Sequence, residues 1–482
     1  MNKGFQSLLV QFFAMSLILL GCTNDDLGDI REEVGQQTRL VNEFVLSYSK
    51  FYYLWNDKVS YEGKDPRYIE DPFALFDKLV YSELDRWSYL TDDAGAMFNN
   101  YQGIQTSYGY SLVLGQFSNA DTYFAVVQFV YPNSQAYKAG IRRGDIILAI
   151  DGEDITEENY LKLHYSSQIK LQLGIYDSKL NAIVPYNGVE VTLHAAVLSI
   201  DPVNASTIIE YDGHKVGYIC YTDYVVSSHS KLAEICSGFK SAGVTEVVLD
   251  LRYNLGGAAK SSVFLGSLMA PAEHVSKKSL FLKELWNSNL SQYPPSYGFQ
   301  SQASYFSEDV LPYNLDLKRI FILTTQQTAS ASEATIIGLE PYMDVVTIGT
   351  TTYGKYCATL LLQATDKDNN VIEEIKNWAM NLVVYKFANK DGFTDFTGGL
   401  QPDHIVQDNL LGAVPFGDEN DPLLAKALEL IAGKSPVGQV KSSEDQADSS
   451  AFSVPEYTVL KKQTRQLEGR RGGFNKIYNP VL

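Results

Sequence analysis

From Phe321 to Thr359 the chain passes from an apolar, β-rich stretch (Ile320, Phe321, Ile322, Leu323) through a polar turn to Ser330 and then into a helix bearing Ala331, Ala334, Ile337 and Gly338. A strand that hands over to a helix at a serine constrains both fold and chemistry. The first helical turn offers unpaired amides and the positive end of the helix dipole, both suited to holding an oxyanion beside the serine oxygen. Ser330, Ala331, Ser332 and Glu333 also spell a capping box, in which the serine merely satisfies an N3 amide. Both readings stand on these residues alone.

A nucleophilic serine needs a base, and the candidate is Lys355, 25 residues further on in TTYGKYCATLLL. A lysine is a base only when neutral, so its pKa must fall from about 10.4 to about 7, a change worth ~4 kcal/mol that burial can supply. A glycine before it and a hydrophobic strand after it carry Lys355 into the fold; an ordinary exposed lysine is the plain alternative. A second element, GVTEVVLDLRYNLGG, reads as a buried strand (Val247, Val248, Leu249, Leu251) ending in Asn254, Leu255, Gly256 and Gly257. Paired glycines let backbone amides approach a ligand and complete an oxyanion hole, or they form a plain turn.

Together, DLRYNLGG, TASASE and TYGK resemble the tail-specific, or C-terminal processing, serine peptidases. The resemblance implies Ser330 as nucleophile, Lys355 as general base, and an oxyanion hole from the Ala331 amide with one from Gly256 or Gly257. TGGLQPDHIV, Thr397 to Val406, is similar to the family's late segment near the active site. Two departures concern the residue that orients the lysine: Thr359 stands where many relatives have glutamine, and Pro341 where others have aspartate. Thr359 keeps a hydroxyl that can accept a bond from the lysine. The likeness runs from about Val41 to about Leu430 and implies a multidomain α/β (α+β) chain whose catalytic domain is of the ClpP/crotonase-like type.

Upstream, VYPNSQAYKAGIRRGDIILAIDGEDIT looks like the core of a PDZ domain of the bacterial protease type. Asn133 and Ser134 cap a short helix, Gly140 ends it, and Ile146, Ile147, Leu148 and Ile150 form a strand before the Asp151–Gly152 turn. PDZ domains add an extended peptide to a sheet edge and seat its carboxylate among backbone amides. The candidate binding loop is Tyr108, Gly109, Tyr110, Ser111 and Leu112. Before it, the stripe Leu40 to Trp55 and a helix opened by Asp71–Pro72 form a small helical domain, and DRWSYL (Asp85 to Leu90) resembles the linker that follows it. The expected divisions are 1–22 leader, 23–35 tether, 36–95 helical, 97–198 PDZ-like, 205–432 catalytic, and 433–482 linker and tail, its basic end a solvated appendage.

The first 22 residues carry Lys3, an apolar run from Leu8 to Leu20, and Gly21–Cys22. The run is too short to span a bilayer. Its end resembles a bacterial lipobox, implying cleavage before Cys22, lipid attachment to it, and an envelope protein at the outer membrane. Cys220, Cys236 and Cys357 then remain, an odd and dispersed set that argues against a disulfide framework; Cys357 reads as a small packing residue. The net charge of −18 disfavours nucleic acid and anionic membrane surfaces. Six histidines without HExxH or CxxC spacing leave no metal site or cofactor to expect.

The leading expectation is therefore an envelope serine endopeptidase for unfolded or tail-exposed proteins, with a homo-oligomer left open. Its rivals are an inactive PDZ-containing scaffold, favoured by Thr359 and Pro341, and a Ser/Lys hydrolase of a non-peptide substrate.

Overall fold

The Val247–Leu251 run becomes the strand Glu246–Asp250, interior to a six-stranded sheet in the order 203–211, 214–221, 246–250, 319–324, 344–349, 404–405. The first pair is antiparallel and every later pair parallel. Parallel strands covered on both faces read as unbroken apolar runs, which is why these two motifs stand out. The computed structural model describes residues 32–117, 123–177, 179–180, 182–292, 303–434 and 457–459. The leader, Cys22, most of the tether and most of 433–482 lie outside the described residues.

Alternation along the strands sorts the two faces. Leu249 and Ile322 join a core shared with the helices His229–Ala242, Ala259–Met269 and Ala331–Leu339. Val248, Phe321 and Leu323 pack on the opposite face against Leu424 and Leu428 of the helix Pro422–Ile431. A second, antiparallel sheet is built on the long strand Ala379–Ala388, flanked by Cys357–Leu362 on one side and, over different parts of its length on the other, by Tyr89–Thr91 and Leu280–Trp286.

The N-terminal helices form as the pattern requires: Val41, Phe44, Val45 and Tyr52 are buried along Gln36–Tyr52, and Asp71 caps Pro72–Asp77 by accepting the Phe73 and Ala74 amides. Their apolar face enters the same core as Leu249 and Ile322, and Asn287 ties it down by donating to the carbonyls of Phe51 and Tyr53. The DRWSYL segment is not a free linker. Asp85 is buried and caps it, accepting the Trp87 and Ser88 amides, while Tyr89–Thr91 pairs with the 379–388 strand.

The PDZ domain has its own core around Leu112, Ile147, Ile150, Leu163 and Leu171. Ser134 caps Gln135–Lys138, and the Asp151–Gly152 turn takes positive φ at both residues, 54° and 85°. A two-stranded neck, Ile104–Ser107 with Ala196–Ser199, joins it to the rest of the chain. The sheet order is 457–459, 110–117, 123–130, 146–150, 168–177, 182–194. Its first member comes from the far C-terminal region, a pairing that nothing in the sequence announced. Among the described residues, no helix is long and apolar enough to cross a membrane.

Candidate active site

Ser330 is the N-cap of Ala331–Leu339 with φ 57° and ψ −112°. A capping serine ordinarily has β-region backbone, and a residue with a Cβ takes up positive φ only where its surroundings impose it. Capping therefore explains the neighbouring glutamate but not the turn. Two contacts impose the conformation. Gly256, itself at φ 95°, packs so closely that an added Cβ would lie 2.7 Å from the Ala331 nitrogen and 2.8 Å from the Ser330 Cβ. The Asn254 carbonyl accepts both the Ala329 amide at 3.0 Å and the Ser332 hydroxyl at 2.8 Å, stapling the glycine loop to the serine turn.

Glu333 supplies the other constraint. Its carboxylate is 0% exposed and accepts four bonds: the Ser330 amide at 2.8 Å, the Lys355 amide at 2.9 Å, the Gly354 amide at 2.7 Å and the Thr352 hydroxyl at 2.6 Å. Burial pushes it up to about 7 against the pull of those donors. One side chain thus sets the serine's turn relative to the lysine's loop. Sequence reasoning met Glu333 only as the far end of a capping box. The available signal was an acidic residue inside ASEATIIGL, a helix with no polar face, where a buried charge must be partnered.

Lys355 lines the same cavity as Ser330, a cleft of about 580 Å³. Burial pulls its ammonium below the ordinary lysine range, opposed by Cys357, Asp85 and Glu333. Its Nζ lies 6.0 Å from the Trp87 ring centroid, so the segment read as a linker walls the site instead. Thr359 also lines the cleft, yet among the described residues no hydrogen bond joins it to Lys355. The lysine-orienting role expected of Thr359 is not realised in this geometry. Cys357 is buried and burial pushes its thiol up, consistent with packing.

The choice between the two glycines follows from their amides. Gly256 donates to Asn254 Oδ1 at 2.8 Å, while Asn254 Nδ2 donates to the Tyr221 carbonyl at 2.9 Å. The Gly256 amide is thereby already paired within the loop. Gly257 and Ala331 both line the cleft, and their amides donate to no acceptor among the described residues. Leu282, Leu360 and Phe387 add apolar wall. In the PDZ loop the structure departs from expectation in part. Leu112 turns into the domain core and Ser111 bonds Gln128 at 3.1 Å, so neither faces a ligand; Gly109, at φ 88°, is packed on Ser134, and the Tyr110 hydroxyl donates to the Leu163 carbonyl at 2.7 Å. What remains for a peptide is the backbone edge of Tyr110–Phe117.

Family models agree with this layout. The model described as peptidase family S41 matches residues 215–406, the S41 N-terminal domain matches 41–89, and a PDZ domain matches 126–164. The chain belongs to peptidase family S41. This S41 peptidase is 22% identical over 449 residues to a carboxyl-terminal-processing protease of Synechocystis sp., covering 92% of this chain and 96% of that protein. A carboxyl-terminal-processing protease of Picosynechococcus sp. is 24% identical over 316 residues, 65% of this chain and 68% of that one. The crystal structure of a Bacteroides fragilis protein described as an S41 protease superposes with a TM-score of 0.67 at 27% identity, over 81% of this chain and 97% of that one. Among the described residues of this S41 peptidase, no group of three or more His, Cys, Asp or Glu side chains is placed to hold a metal ion.

Proposed function

We propose that this S41 peptidase is a serine endopeptidase working through a Ser330/Lys355 dyad on unfolded or tail-exposed proteins. The observation that carries the reading is the meeting, in one cleft, of a strained Ser330, a Lys355 with lowered proton affinity, and the two unbonded amides of Gly257 and Ala331. Ser330 Oγ attacks the scissile carbonyl as the neutral Lys355 Nζ takes its proton. The carbonyl electrons move onto oxygen, and the Ala331 and Gly257 amides stabilise that charge. The lysine then protonates the leaving amine; a water deprotonated by the same lysine cleaves the acyl ester and frees Ser330.

The PDZ domain fits capture of substrate C-termini by strand addition, and the names of the two cyanobacterial relatives, carboxyl-terminal-processing proteases, support protein tails as substrates. The lipobox-like ending at Cys22 supports a lipid anchor and an outer-membrane, envelope location.

The test is digestion of an unfolded protein bearing an apolar C-terminal tail by the soluble chain starting at Thr23, beside its Ser330→Ala and Lys355→Ala variants. Cleavage lost in both variants supports the dyad. Full turnover by Lys355→Ala removes the lysine from the mechanism. Tail binding without cleavage by any form favours the scaffold reading, toward which the missing Thr359–Lys355 bond points.

A further inference from the structure

The strand Tyr110–Phe117 is the PDZ edge that a captured peptide needs, and the chain itself lies on it. Tyr457 stands opposite Phe117, Thr458 opposite Gln116 and Val459 opposite Gly115, in antiparallel register. The direction is informative. With rising residue number the segment advances toward Tyr110 and Gly109, the loop that opens the strand. A peptide held by strand addition with its carboxylate end nearest that loop runs in the same sense.

The contact joins distant parts of the molecule. The helix Pro422–Ile431 packs on the catalytic sheet through Leu423, Leu424 and Leu428, and the chain then returns at Tyr457 to the PDZ sheet. Val113, Leu114 and Gly115 of the same edge strand also wall a crevice of about 460 Å³ that Thr351 and Ile405 of the catalytic domain close from the other side. An occupant of this edge therefore sits at the junction of the two domains.

We infer that Tyr457–Val459 is an intramolecular ligand of the PDZ edge strand, one that substrate tails must displace before they can be captured. The inference rests on the peptide-capture reading given above. A bare edge exposes unpaired amides and carbonyls that any extended backbone can satisfy, so the segment needs no special sequence to bind. Three paired residues form a displaceable contact, and belonging to the same chain raises the local concentration of the segment to roughly the millimolar range.

The experiment uses the chain from Thr23 to Leu482 with Ser330→Ala, so that a probe is bound but not cut, and a second form carrying Tyr457→Pro and Thr458→Pro as well. The probe is a fluorescent peptide with an apolar C-terminus and a free carboxylate; amide exchange at residues 115–117 is followed in parallel. The proline form should bind the probe about tenfold more tightly, as for an edge nine-tenths occupied in the parent, and should exchange faster at 115–117 without probe. A chain ending at Lys434 should match it. Equal affinity and equal exchange in the two forms would overturn the inference while leaving peptide capture intact. Faster exchange in the proline form with no probe bound by either would overturn the competition because peptide capture itself had failed.

Discussion

Glu333 holds the loop of Lys355 by its backbone, accepting the lysine amide at 2.9 Å on Oε2, the oxygen that also takes the Ser330 amide. The Ser330 turn and the Lys355 loop are thus tied together through a third residue. Glu333→Gln keeps the shape but turns an NH₂ toward two donors. Misplacing catalytic groups by about 1 Å can lower turnover about 100-fold, and that fall in kcat, with KM for a short peptide little changed, is the expected outcome in steady-state assays.

The same substitution has a pH signature. The folded pKa of Glu333, about 7, lies above its ordinary 4.5, so its contribution to stability is full below 4.5 and is lost as pH rises through 7. Glutamine has no such slope. The stability gap between wild type and Glu333→Gln should shrink by ~3 kcal/mol between pH 4.5 and pH 8, measured by urea unfolding at each pH.

In the proposed dyad only a neutral Lys355 can take a proton from Ser330, so activity should rise with pH through the lowered pKa of Lys355. Burial lowers that pKa while Asp85 is among the groups raising it, so Asp85→Asn should move the rising limb of kcat/KM to lower pH. Asparagine keeps an oxygen for the Trp87 and Ser88 amides, which bond one Asp85 oxygen. A limb that stays in place or moves upward would show that Asp85 does not act on the base.

Gly256→Ala tests the packing that strains Ser330. The added methyl would lie within 2.8 Å of the Ala331 nitrogen, the Ala329 oxygen and the Ser330 Cβ, from a backbone already at φ 95°. Overpacking of this kind costs about 1–3 kcal/mol. The expected result is a modest drop in melting temperature and near-complete loss of labelling by a serine-directed phosphonate.

The strands, the serine turn and the glycine loop were legible because each is a contiguous apolar run ended by glycine or a capping residue, and such periodicity is local. The partners were not. Trp87 approaches Lys355 from 268 positions away, and Asn254 fixes its loop through the Tyr221 carbonyl; neither pairing leaves a pattern in the residues around it. Gly256 and Gly257 were indistinguishable in sequence because the decision lies in which amide Asn254 takes. The Tyr457–Val459 pairing was hidden for a different reason: strand addition uses backbone, so its side chains carry no signal.

The PDZ domain is held to the catalytic domain through Arg143. Arg143, from the PDZ turn, donates to Asp408 at 2.9 Å and to the Tyr253 hydroxyl at 2.6 Å. Arg252, 1% exposed, bonds the same Asp408 at 3.0 Å as well as Asp250 and Asp421. Removing Arg252 would leave the buried Asp250 and Asp421 short of a counter-charge, so Arg252→Met should destabilise the fold by about 3–5 kcal/mol. Arg143→Met differs, because Asp408 keeps Arg252; its expected effect is under about 1 kcal/mol on unfolding but a loss of cleavage of tailed proteins larger than that of a small ester. Burial pushes Asp408 up, yet Arg143 and Arg252 carry it below its ordinary 3.8. Its contribution is therefore present above 3.8 and is lost as pH falls below that, which unfolding of wild type and Arg143→Met between pH 6 and pH 3 will show as a converging pair of curves.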